Sequence, residues 1–124
     1  MSTQKILFSP LGGTDPISNF RDGSMLHICR VYKPDVVFLY LSKEMCEFHK
    51  KDDRYLYCIR KLSELIDHKF EVKLIERPEL ENVYEFDFFY KEFESLLREI
   101  HRQYDGEILL NVSSGTPAMK NALN

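Results

Sequence analysis

With 124 residues, 44% of them hydrophobic and 13% aromatic, the chain has material for one domain with a sizeable core and does not read as a disordered segment. Its formal net charge of −3 excludes a wide surface for DNA or long RNA, because such binding rests on phosphate neutralisation by Lys and Arg; a small, specifically cradled phosphate ligand stays compatible. The longest apolar run, Val36 to Leu41, is far short of the roughly 20 residues that a membrane span needs, so no membrane partner is expected.

The opening MSTQKILFSP lacks the cleavage-site pattern of a signal peptide. Cys29, Cys46 and Cys58 are odd in number and unpaired by spacing, which fits a reducing cytoplasm. The first apolar segment, Lys5 to Ser9, reads as a strand and runs into the loop PLGGTDPISNFRDGS. There Gly12 and Gly13 permit a tight turn near a ligand, and Arg21 offers a planar fork for phosphate or base edges. Asp22 stands where a helix cap is expected, before a helix whose apolar face is Met25, Ile28, Cys29 and Tyr32. Neither a Walker A loop nor the GxGxxG spacing is present.

Val36 to Leu41 is the second strand. After it, Cys46 and His49 form C-x-x-H without a second pair at zinc spacing, so no metal is expected. Asp53 is the expected cap of a helix with Tyr55, Cys58, Ile59, Leu62 and Ile66 on one face. The third strand, Phe70 to Ile75, alternates Phe70, Val72 and Leu74 with Lys69, Glu71 and Lys73, as an edge strand does. Arg77 to Glu85 reads as a plain polar connection. Asp87 is placed to cap the helix of Phe89, Phe93, Leu96, Leu97, Ile100 and Tyr104.

The fourth strand, Glu107 to Val112, stops at SSGTP, where Thr116 caps and Pro117 opens the last helix. Ser113, Ser114 and Thr116 supply hydroxyls and Gly115 allows close backbone approach, a build that suits phosphate at a helix start and equally suits a capped turn serving only the helix. A serine nucleophile is not supported, because the G-x-S-x-G elbow is absent.

Strands alternating with helices predict an α/β fold, a Rossmann-like three-layer sandwich with a mostly parallel sheet. Right-handed crossovers favour the strand order 3-2-1-4, which puts the crevice between the loops after strands 1 and 4. In that order strand 4 is an edge, yet ILLNV is too apolar for an open one, so either further strands or a partner subunit should cover it.

Together, ILFSPLGGTDP, RDGSMLHI, a second strand ending LSKEM, and ILLNVSSGTPAMKNAL resemble the CARF domain (CRISPR-associated Rossmann fold) of accessory ribonucleases of type III-A CRISPR systems, of the Csm subtype. The resemblance covers nearly the whole chain. It implies that residues 1–124 are a sensor domain, cut at its C-terminal end and lacking the HEPN ribonuclease domain of the parent. The implied ligand is cyclic oligoadenylate, hexaadenylate first and tetraadenylate second, held across the twofold axis of a homodimer, with no cofactor, metal or DNA.

Carried over by motif, the SGT segment falls on Ser114, Gly115 and Thr116, preceded by Asn111 and Ser113; RDG falls on Arg21, Asp22 and Gly23; KEM falls on Lys43, Glu44 and Met45. In the first loop the family pattern Gly-Asn-Ser-Asp-Pro is replaced by Gly12-Gly13-Thr14-Asp15-Pro16, so Thr14 takes over or loses an Asn contact. Relatives often place a Trp nearby for stacking and this chain has none, so the resemblance implies that Phe20 or Ile17 substitutes for it if a base stacks there.

Some members of the family also cut their activator. The resemblance thus adds a metal-independent ring nuclease, in which a ribose 2′-OH attacks the adjacent phosphate and Thr116 and Arg21 are the candidate catalytic residues. Two rival readings stay open: a small Rossmann-like or flavodoxin-like enzyme domain binding a mononucleotide, and a fragment with no surviving activity.

Overall fold

The computed structural model describes residues 4–124. Its elements in chain order are β1 (Gln4–Pro10), β2 (Ile17–Ser18), β3 (Arg21–Asp22), α1 (Ser24–Tyr32), β4 (Val36–Leu41), α2 (Lys43–Asp52), α3 (Arg54–Ile66), β5 (Glu71–Glu76), α4 (Phe86–Gln103), β6 (Gly106–Leu110) and α5 (Pro117–Leu123). β5, β4, β1 and β6 form one parallel sheet in that order, as the crossover rule requires.

Alternation along the strands sorts the core into two halves. Leu7, Val37 and Leu39 face α1, α2 and α3, where they meet Met25, Cys29, Met45, Tyr55 and Ile59. Ile6, Phe8, Phe38 and Tyr40 face α4 and α5 and meet Phe89, Phe93, Ile100 and Met119. The second half is aromatic: Phe93 lies edge-on to Phe8 and Tyr40, with ring centroids 5.2 and 5.0 Å apart. Burying a side chain of this size contributes about 1.5–3 kcal/mol. Tyr40 keeps its polar end satisfied by donating to Glu92 Oε2 at 2.8 Å, the same oxygen that Arg77 Nε reaches at 2.9 Å.

β4 is buried at every position, and β5 at the sheet edge exposes Glu71 and Lys73 while half-burying Val72 and Leu74. β6 forms the other edge, where Leu110 and Val112 are each 37% exposed. Because α1 follows β1 onto one face and α5 follows β6 onto the other, the chain reverses between these neighbouring strands. The crevice lies at their C-terminal ends.

Several local expectations need correction. α2 is a separate helix: its polar sequence KEMCEFHKKD buries only Met45 and Cys46, too narrow a stripe to show as periodicity. The first loop contains the β2–β3 hairpin, closed by Asn19 and Phe20 at φ 51° and 63°. Of the expected aspartate caps, Asp22 bonds Arg30 Nε at 2.7 Å and Gly23 occupies the cap position. Asp53 sits at the α3 cap position without a side-chain cap bond, and Glu85 precedes α4 with Asp87 inside its first turn. The last strand ends at Leu110, two residues short of the expected Val112, because Asn111 turns its side chain to the loop.

Candidate functional site

The loop after β1 is braced from below by Asp15. Its side chain is 4% exposed, and its two carboxylate oxygens accept from different backbone amides, Gly12 at 2.9 Å and Met25 at 3.2 Å. Burial raises the Asp15 pKa above the ordinary aspartate value, against the lowering pull of these amides. The brace thus joins the glycine turn to the start of α1.

The loop after β6 is built around Asn111, which is fully buried. Its Nδ2 donates to Ser9 Oγ and to Ser114 Oγ, each at 2.9 Å, and its Oδ1 accepts from the Ser113 amide at 3.0 Å. The Ser114 hydroxyl also meets Ser24 Oγ at 2.8 Å, tying this loop to α1. Gly115 follows at φ 95°, in the left-handed region that favours glycine. Thr116 Oγ1 accepts from the Met119 amide at 3.4 Å, which caps α5, and donates to the Val83 carbonyl. At Gly12 the two loops touch: a Cβ there would lie 2.7 Å from the Gly115 nitrogen.

Facing this junction is a third wall that sequence reading left out. The connection between β5 and α4 crosses the ends of the strands as a strap: Leu80 accepts from the Lys43 amide at 3.0 Å, and Val83 accepts from Thr116. Between strap and loops lies a cavity of about 140 Å³ lined by Leu11, Gly12, Gly13, Ser42, Glu44, Met45, Val83, Tyr84, Gly115, Thr116 and Met119. A larger cleft, about 460 Å³, lies elsewhere, between α3 and β5, and is lined by neither glycine loop.

The expected site residues therefore divide by position. Gly12, Gly13, Gly115 and Thr116 line the cavity; Thr14 and Ser113 are exposed and do not line it, Ser113 lying instead in a cleft with Tyr32, Leu110 and Val112. Asp15, Asn111 and Ser114 lie beneath it as supports. Lys43 lines a neighbouring cleft, where its ammonium pairs with Glu81 at 2.6 Å; this partner raises the Lys43 pKa and lowers that of Glu81. Arg21 is exposed on the β2–β3 hairpin and does not line the cavity, and Asp22 is committed to Arg30. The lining residues missed are Leu11, Ser42, Val83, Tyr84 and Met119, together with Glu44 and Met45, whose segment is matched without their being named as contacts. The one signal in the sequence was the apolar pair Val83-Tyr84 within a polar connection.

The crevice offers backbone amides, hydroxyls and one carboxylate, with no thiol or imidazole lining the cavity. That inventory suits holding and orienting a ligand.

A family model described as the Cas_Csm6 CARF domain matches residues 71–124. The CRISPR system endoribonuclease Csm6 of Mycobacterium tuberculosis is 44% identical over 119 residues, which is 95% of this chain and 28% of that protein. The corresponding Csm6 of Enterococcus italicus is 38% identical over 122 residues, 96% of this chain and 28% of that protein. A solved structure, Enterococcus italicus Csm6 bound to cyclic hexa-2′-fluoro-hexa-dAMP, superposes with a TM-score of 0.79 at 35% identity, covering 98% of this chain and 30% of the other. The chain thus spans under a third of the length of these relatives.

Proposed function

The chain belongs to the Csm6 CARF domain family, and from that premise we propose that it is a sensor that binds cyclic oligoadenylate, with cyclic hexaadenylate the preferred ring, and thereby regulates a CRISPR ribonuclease. The observation that carries this reading is the junction of the Gly12–Gly13 turn with the Ser114–Thr116 loop at the strand reversal, held in place by Asp15 and Asn111. A relative 35% identical over almost the whole chain has a cyclic hexanucleotide analogue bound.

One ring is shared by two copies of the chain in this proposal. Support comes from the face beside the crevice, where Tyr32 is 51% exposed and Leu110 and Val112 flank a shallow cleft. Apolar side chains at an open strand edge favour association. Such a pairing is isologous, and it places the two glycine turns on either side of a ring of even repeat.

Slow ring opening is the enzymatic part of the proposal. The ribose 2′-oxygen attacks the adjacent phosphorus, the bond from phosphorus to the 5′-oxygen breaks, and that oxygen takes up a proton, leaving a cyclic phosphate end. The chain need only enforce the in-line geometry and stabilise charge with amides near Gly115 and the Thr116 hydroxyl. Thr116 must then release the Val83 carbonyl, and Arg21 must reach in from its hairpin.

Calorimetric titration with cyclic hexa- and tetraadenylate, followed by chromatography of the recovered ligand, tests all three parts. The expected result is tight binding at one ring per two chains, tighter for hexaadenylate, with slow conversion to a linear product. A 2′-fluoro ring, which lacks the nucleophile, should be recovered intact. Failure of a folded dimer to bind either ring refutes the sensor reading; bound rings recovered whole refute the nuclease alone.

A further inference from the structure

Resting on that sensor reading, we infer that the cavity between the strap and the two loops takes one adenine base of the ligand, with Tyr84 as its stacking wall and Glu44 as the acceptor of its exocyclic amine. The lining separates this pocket chemically from the part of the crevice suited to phosphate. Leu11, Met45, Val83 and Met119 make it largely apolar, and neither Lys, Arg nor His lines it. A phosphate inside would meet the Glu44 carboxylate, while the Lys43 ammonium, in the adjoining cleft that shares Ser42, Glu44 and Val83, is already paired with Glu81. A flat heteroaromatic ring meets apolar walls, one π-face and a hydrogen-bond acceptor, which is how unstacked bases are held by proteins.

Tyr84 is 76% exposed, yet its backbone is fixed. Its amide donates to Asn82 Oδ1 at 3.1 Å, and the strap on its N-terminal side is anchored by Lys43 to Leu80 and by Thr116 to Val83. An aromatic ring left open to solvent on an anchored segment is available for stacking. Glu44, in the first turn of α2, forms no ion pair among the described residues, in contrast to its neighbour Lys43. Ser42, whose hydroxyl makes no cap bond to α2, lines the same cavity and adds a second polar group for the base edge.

A carboxylate accepts from an amine and repels a carbonyl. Adenine presents an amine at position 6, where hypoxanthine presents a carbonyl, so Glu44 selects between them. The test is competitive titration with cyclic hexaadenylate and cyclic hexainosinate against the wild-type chain, Tyr84→Ala, Tyr84→Phe and Glu44→Gln, each checked for folding by circular dichroism.

Tyr84→Ala is expected to weaken hexaadenylate binding by roughly tenfold or more, the usual worth of one stacked base, and Tyr84→Phe to retain it. Glu44→Gln can turn its amide to a carbonyl, so it should narrow the preference for adenine over hypoxanthine by on the order of tenfold. Unchanged affinity in Tyr84→Ala overturns the role of Tyr84, and an unchanged preference in Glu44→Gln overturns that of Glu44, while the sensor reading stands. A wild-type dimer that binds neither cyclic hexa- nor tetraadenylate overturns both that reading and this inference.

Discussion

Asp15→Asn probes the brace beneath the crevice. Gly12 and Met25 donate to different oxygens of the Asp15 carboxylate, at 2.9 and 3.2 Å. Asparagine keeps the shape but has one acceptor oxygen, so whichever way it turns, its NH₂ faces one of the two amides. A hydrogen bond to a charged group contributes about 1.5–3 kcal/mol, and an unsatisfied buried donor costs about 1–3 kcal/mol. Relief of the burial that raises the Asp15 pKa offsets part of this loss. We expect Asp15→Asn to lower stability at pH 7 by about 1–3 kcal/mol, read from urea midpoints at constant m, and Asp15→Ala to cost more because both amides lose their partner.

The pH dependence has a definite sign. With its folded pKa raised, Asp15 holds its proton more tightly in the folded chain than in the unfolded one. Its contribution is fully present below the ordinary aspartate value and is lost as pH rises through the raised folded value. The advantage of wild type over Asp15→Asn should therefore shrink with rising pH across that window and be flat above it. An asparagine variant as stable as wild type at pH 7, or an advantage that grows with pH inside the window, refutes the reasoning.

Gly12→Ala places a Cβ 2.7 Å from the Gly115 nitrogen, so the two loops must part; stability should fall by about 1–3 kcal/mol and ring affinity with it, both measurable by thermal shift with and without ligand. Gly13→Ala meets nothing within 4 Å and should stay within about 0.5 kcal/mol of wild-type stability in the same assay. Asn111→Ala strips three hydrogen bonds from a fully buried position and should cost at least about 2 kcal/mol in urea denaturation. Phe20→Gly should do the opposite: Phe20 is fully exposed at φ 63°, so a residue at ease in the left-handed region raises the melting temperature through a gain of up to about 1 kcal/mol.

What could be read from the residues follows what side-chain chemistry records locally. The sheet order was legible because β4 is apolar throughout and β5 alternates, which separates centre from edge. The crevice was legible because Gly12, Gly13 and the SSGTP turn mark the ends of neighbouring strands. α2 was not, because a helix that buries little beyond Met45 and Cys46 has no broad stripe to find. Nor was the strap: Tyr84 reaches the cavity through a contact between Thr116 and Val83, residues 33 apart in sequence, and no local pattern encodes it. Among the named residues, Lys43 comes from a motif match and Arg21 from its planar fork as well as a motif, but their geometry lies with Glu81 and with the hairpin surface. Motif matching identifies the segment and is silent on which way a side chain turns.

The hydrogen bonds of Asn111 have a kinetic consequence. One amide side chain reaches the end of β1 through Ser9, the loop after β6 through Ser113 and, through Ser114, the start of α1 at Ser24. The conformational entropy of these loops is therefore lost when the chain folds, and little is left to lose when a ligand arrives. Association at this site should show a single rate rising linearly with ligand concentration, without the plateau of a rate-limiting rearrangement, and differences in affinity among related rings should appear in how long they stay.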